Sequence, residues 1–91
     1  MKEESIFITG AGSGMGQMAA RQFAAEGYAV AAIDVNEKGL LETAENHQNI
    51  RTFKTDVTNY EAVAEVVNET ESKLGPIKRV YNAAAIMPLG R

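Results

Sequence analysis

The chain has no cysteine, a single histidine and only two prolines among its 91 residues. Without cysteine there is no disulfide framework and no thiolate metal site, which fits a reducing, cytoplasmic setting. Positive charge is not in excess either: nine Lys and Arg stand against twelve Asp and Glu, for a net charge of −3. A nucleic-acid surface normally shows a basic patch or stripe, so no nucleic-acid partner is expected. No apolar run approaches the ~18 residues of a membrane-spanning helix. The opening Met1-Lys2-Glu3-Glu4 is acidic and leads into a strand-length run rather than a secretory segment, so no membrane partner is expected. His47 stands alone on a polar helix end and is read as exposed and unrelated to catalysis.

What is present is ordinary globular composition, with 45% hydrophobic and 23% charged residues, arranged as short apolar runs alternating with helix-periodic stretches. Ser5-Ile6-Phe7-Ile8-Thr9 and Tyr28 to Ile33 read as strands buried on both faces, the second ending at Asp34. Between them, about Met15 to Glu26 has helical spacing, with Met15, Met18, Ala19 and Phe23 on one face and Gly27 at the C-cap. Asn36 is placed to cap a helix running to about His47, burying Leu40, Leu41 and Ala44. Ile50 to Lys54 is a third strand. Thr58-x-x-Glu61 has capping-box spacing, and a helix carrying Val63, Val66, Val67, Thr70 and Leu74 follows until Gly75-Pro76 ends it. A fourth strand covers Ile77 to about Asn82. The order β-α-β-α-β-α-β implies an α/β fold of Rossmann type, a parallel sheet flanked by helices and reached by right-handed crossovers. Residues 1–91 are read as the N-terminal part of one dinucleotide-binding domain that stops after its fourth strand.

The chemistry is concentrated in Thr9-Gly10-Ala11-Gly12-Ser13-Gly14-Met15-Gly16. A glycine cluster alone often marks no more than a turn. This one follows a strand, opens a helix and precedes an acid, Asp34, by 18 positions from Gly16. Gly10 would allow the tight turn off the strand, Gly12 and Gly14 would let backbone approach a pyrophosphate, and Gly16 would let the helix pack close to the sheet. Free N–H groups of the first helical turn, with the helix dipole, favour anionic phosphates. Asp34 would accept hydrogen bonds from both hydroxyls of an adenosine ribose; the plainer reading is a solvated strand-end acid or helix cap. Its charge would repel a 2′-phosphate, and neither Ser13 nor Val35 supplies a cation to offset that. The cofactor expected is therefore NAD rather than NADP.

Thr9-Gly10-x-x-x-Gly14-x-Gly16 resembles the cofactor loop of the short-chain dehydrogenase/reductase family in its ordinary, non-extended form; the extended form would need glycine where Ser13 stands. Two further stretches are similar to that family's. Asp56-Val57-Thr58 resembles its Asp-Val-Thr, which implies that Asp56 holds the adenine amino group while the Val57 N–H meets the ring. Asn82-Ala83-Ala84-Ala85 resembles its Asn-Asn-Ala-Gly at the end of the fourth strand, which implies a place in the floor of the cofactor site. Ala83 and Ala85 depart from that pattern. On the residues alone, Asp56 could also cap a helix and Asn82 could simply satisfy neighbouring backbone. The set expected to touch cofactor is Gly10, Gly12, Ser13, Gly14, Met15, Gly16, Asp34, Val35, Asp56, Val57, Asn82, Ala83 and Ala84.

Members of the family use a Tyr-x-x-x-Lys pair with a Ser and a helical Asn. The tyrosine exchanges a proton with the substrate oxygen as hydride passes to or from the nicotinamide. Here Tyr28, Tyr60 and Tyr81 are followed four positions later by Ala32, Ala64 and Ala85, so no tyrosine has its lysine. The resemblance implies the cofactor-binding portion of an NAD-dependent alcohol or ketone oxidoreductase, with no catalytic residue in these 91 and no turnover by them alone. A small-molecule substrate is expected only in a longer parent protein. Two other readings stay open: a stand-alone adenine-nucleotide-binding module, and a structural piece that pairs through its apolar fourth strand. Self-association through that edge is expected.

Overall fold

Ser5–Thr9 and Ala29–Asp34 lack the alternation of a half-exposed strand, and the computed structural model, which describes residues 3–83, places both inside a sheet. The elements run β1 (Ser5–Thr9), α1 (Gly14–Ala25), β2 (Ala29–Asp34), α2 (Glu37–Ala44), β3 (Ile50–Lys54), α3 (Tyr60–Leu74) and β4 (Ile77–Asn82). All pairings are parallel, in the order β3-β2-β1-β4, with Ile6 beside Val30, Asp34 beside Lys54 and Thr9 beside Asn82. The strands are those expected from sequence, except that β2 begins at Ala29. Tyr28 belongs to the turn instead: its N–H donates to Phe23 O at 3.2 Å, and its own carbonyl accepts from Asn49 Nδ2 at 2.7 Å.

Each face of the sheet carries its own core. Ile6, Ile8, Val30 and Ala32 pack with Ala20, Ala24 and Leu40 from α1 and α2; Phe7, Ala31 and Ile33 pack with Val66 of α3. This is the period-two consequence of burying both faces of β1 and β2. The chain runs outward from β1 through β2 to β3 and then crosses back to set β4 on the other side of β1, so the strand order reverses at β1. Open parallel sheets receive ligands at such a point.

The helices depart from expectation in four places. On α1 the buried positions are Gly16, Ala20 and Ala24, while Met15 and Met18 are 69% and 70% exposed. Only small residues let α1 lie this close. A Cβ on Gly16 would stand 1.9 Å from Gly10 O. On α2, Leu40 is buried but Leu41 is 61% exposed, and its expected place goes to Thr43. A buried hydroxyl there is tolerated because it finds Ala11 O at 2.6 Å. The helix stops at Ala44 rather than near His47, and Asn46 takes a left-handed φ of 65° beyond it. Its cap is as expected: Asn36 Oδ1 accepts from Gly39 N at 3.1 Å.

Helix α3 starts without the expected capping box. Its N-cap is Asn59, whose Oδ1 accepts from Ala62 N at 3.1 Å. Thr58 is engaged elsewhere, donating from both N and Oγ1 to Asp56 Oδ1 at 2.9 and 2.7 Å. Thr58 belongs instead to a turn closed on the Asp56 carboxylate, and Asn is as good a cap as Thr. Among the described residues, no helix is long and apolar enough to cross a membrane.

Candidate functional site

The chain leaves β1 through Gly10, whose φ of 72° turns it across the carboxyl edge of the sheet. Ala11 N then donates to Ile33 O at 3.1 Å, and Gly12 N donates to Asp34 Oδ2 at 2.8 Å. Asp34 is thus brought to the loop by β2 and fixed there. Its other oxygen accepts from Asn36 N at 3.0 Å. A carboxylate has about four acceptor sites, so two backbone donors leave capacity for hydroxyls from a ligand.

Gly12 therefore differs from its expected role. Its N–H is spent on Asp34, and a Cβ there would meet Asp34 Oδ2 at 2.8 Å and Asn36 O at 3.2 Å, not an incoming phosphate. The glycine is required for the approach of loop to acid. Gly14 is the one that faces open space: nothing lies within 4 Å of a Cβ there, and its φ is 49°. Ser13, at the N-cap of α1, makes no side-chain cap bond, and no acid stands in the first turn. Gly16 N donates to Ser13 O at 3.1 Å, while the Gly14 and Met15 amides precede the first intrahelical acceptor, so this end presents N–H donors and the positive end of the helix dipole.

A third segment joins them after β3. Thr55 N donates to Asp34 O at 2.9 Å, which places Asp56 and Val57 beside the acid. The two Thr58 donors hold the Asp56 carboxyl below the usual range, the side-chain hydroxyl contributing most and the backbone N–H next. Asp56 is accordingly a charged acceptor at neutral pH.

These segments enclose a cavity of about 470 Å³. The glycine loop contributes Gly10, Ser13, Gly14, Met15 and Gly16; the end of β2 contributes Asp34 and Val35; Thr55, Asp56 and Val57 follow β3; Ala83 follows β4. Gly12 and Asn82 are not in the lining, and Ala84 lies outside the described residues. Asn82 instead straps the strand ends together, its Oδ1 accepting from Thr9 Oγ1 at 2.5 Å while Ala83 N donates to Thr9 O at 3.0 Å. Thr55 is the lining residue that sequence reasoning missed. Its one signal is its place directly before Asp56. Chemically, the cavity offers backbone donors for phosphates at one side, a carboxylate for hydroxyls at its centre, and Val35 and Val57 against which a flat ring can rest. Among the described residues, no group of three His, Cys, Asp or Glu could hold a metal ion.

Comparison with known proteins identifies the family and the fold. Residues 4–91 match the family model described as short chain dehydrogenase. Meso-2,3-butanediol dehydrogenase of Serratia marcescens is 37% identical over 87 residues, which covers 93% of this chain and 35% of that protein. The crystal structure of a short chain dehydrogenase from Bacillus anthracis superposes with a TM-score of 0.84 at 32% identity, over 92% of this chain and 35% of that one. An oxidoreductase from Haemophilus influenza with bound NAD superposes with a TM-score of 0.78 at 26% identity, over 88% of this chain and 30% of that one. The chain spans about a third of the length of these relatives.

Proposed function

The chain belongs to the short chain dehydrogenase family, and from that premise we propose that it is the NAD-binding, N-terminal portion of an oxidoreductase acting on an alcohol or ketone. The observation that carries this reading is the meeting of an uncapped helix N-terminus with a strand-end carboxylate in one cavity, joined by the 2.8 Å bond from Gly12 N to Asp34 Oδ2. In this reading the Gly14 and Met15 amides receive the pyrophosphate, helped by the α1 dipole and by the absence of a side chain at Gly14. Asp34 accepts from the adenosine ribose hydroxyls. Asp56 accepts from the adenine amino group, the Val57 N–H meets the ring, and Val35 covers its face. Asn82 and Ala83 contribute to the floor of the cofactor site, with Asn82 acting through its strap to Thr9.

Selection of NAD over NADP follows from charge. A 2′-phosphate would sit against the Asp34 carboxylate, and neither Ser13 nor Val35 provides a compensating cation. The nicotinamide, when bound, supplies the carbon that gives or takes hydride. No Tyr-x-x-x-Lys pair occurs among these 91 residues, so proton exchange with the substrate oxygen falls to groups outside them, and the 91 residues alone bind without turning over. Calorimetric titration tests the reading: NAD should bind at least ~10-fold more tightly than NADP, the factor that ~1.4 kcal/mol represents. Equal affinities, or a preference for NADP, would remove the role given to Asp34. Oxidation of alcohols with NADH formation by the 91 residues alone would remove the division of labour.

A further inference from the structure

The glycine loop is held from behind by side chains that do not reach the cavity. Gln17, in the second turn of α1, donates from Nε2 to Gly12 O at 3.1 Å and to Gly39 O at 3.1 Å. One primary amide has two hydrogens, so a single side chain satisfies a carbonyl of the loop and a carbonyl of α2 together. The two carbonyls belong to segments in closest contact, since a Cβ on Gly39 would stand 2.0 Å from Gly12 O. Thr43 adds a second tie through Ala11 O, and Arg21 Nη2 fastens α1 to the far end of α2 through Glu42 O at 2.7 Å. Gln17 is the member of this set that acts on the residue next to Ser13, where the donors of α1 begin.

We propose that Gln17 is a positioning residue for phosphate binding: by holding Gly12 O and Gly39 O with one amide, it fixes the glycine loop against α2 and so aims the Gly14 and Met15 N–H groups into the cavity. The proposal rests on the reading of that cavity as an NAD site. Hydrogen bonds from backbone amides to phosphate depend on direction as well as distance, so a loop held in place before binding loses less order when the anion arrives. Without Gln17, Gly12 keeps its tie to Asp34 through its N–H, but its carbonyl is released and the segment leading to Ser13 can tilt. The consequence falls on ligands that carry phosphate. The adenosine side is anchored separately, through Asp34, Asn36 and Thr55.

The test compares ADP with adenosine by equilibrium dialysis against the intact protein and two variants. Gln17→Met keeps the length of the side chain and removes both donors; Gln17→Lys keeps N–H donors at the end of a side chain one atom longer. The Met variant should bind ADP about 10-fold more weakly, the equivalent of ~1.4 kcal/mol. Its adenosine affinity should change by less than about twofold, and the Lys variant should bind ADP within about threefold of the parent or better. Unchanged ADP binding in the Met variant, an equal loss for adenosine, failure of Lys to restore binding, or loss of the folded circular dichroism spectrum in the Met variant would each overturn the positioning role. Parent protein that binds neither ADP nor NAD would instead overturn the NAD site itself.

Discussion

Replacing Gly39 by alanine sets two effects of opposite sign against each other. Gly39 lies in the first half of α2, where alanine should gain about 0.8–1 kcal/mol of helix propensity. Packing reverses that. The new Cβ would stand 2.0 Å from Gly12 O and 2.9 Å from Gly12 C, whereas ordinary contact begins near 3.4 Å, so α2 and the loop have to part by about 1.4 Å. Overpacking of a tight site costs about 1–3 kcal/mol, occasionally more. The same movement stretches the ties of Gln17 to Gly12 O and of Thr43 to Ala11 O. Each is worth about 0.5–1.5 kcal/mol net. Allowing for the propensity gain, Gly39→Ala should destabilise the fold by about 2–4 kcal/mol. Urea unfolding followed by circular dichroism reads this as a lower midpoint at unchanged slope. Gly14→Ala is the comparison. Its φ of 49° disfavours a side chain, yet nothing lies within 4 Å of its Cβ, so it should cost only the ~1–2 kcal/mol of a left-handed residue. Gly39→Ala as stable as the parent would refute the close contact between α2 and the loop.

Further outcomes follow from the site and the caps. Asp34→Asn replaces one charged acceptor by a donor facing a backbone N–H, so NAD affinity should fall by about 10- to 100-fold, the equivalent of ~1.5–3 kcal/mol, while NADP loses less; calorimetry showing both affinities unchanged would exclude Asp34 from the site. Asn59→Ala should cost about 1 kcal/mol of unfolding free energy as a lost N-cap, more than Glu61→Ala, and the reverse order would restore the capping box. Thr58→Val removes the larger of the two donors that depress Asp56, so its carboxyl should titrate at higher pH by carbon-detected NMR. A carboxyl lowered in the folded state favours folding above its unfolded pKa, and that contribution fades as pH falls through the folded value. The parent should therefore retain this contribution to more acidic pH than the variant.

Strand positions were legible in the sequence because β1 and β2 are buried on both faces, where composition alone decides, and because Gly27, Gly75 and Pro76 punctuate the helices. The acid at the end of β2 and the glycines before α1 were legible for the same reason: their spacing follows from a βαβ crossover. Four features were not. The sheet-facing stripe of α1 is Gly16, Ala20 and Ala24, and residues this small carry almost no hydrophobic signal, so Met15 and Met18 were given the buried face they do not occupy. Thr43 took the place expected for Leu41 because a carbonyl 32 residues away in sequence awaited its hydroxyl. Gly12 serves the contact with Asp34, a long-range approach that no local pattern encodes. The cap of α3 moved by one residue for a local reason that spacing cannot rank, the turn in which Thr58 donates to Asp56.

The most direct test is a titration of the isotope-labelled protein with NAD, followed by amide chemical shifts. The account predicts saturable changes concentrated at Gly14, Met15, Asp34, Val35, Asp56 and Val57, with His47 and the far end of α3 at Lys73 unmoved. Saturable changes centred away from the glycine loop, or none at millimolar NAD, would contradict the assignment of this cavity to the dinucleotide.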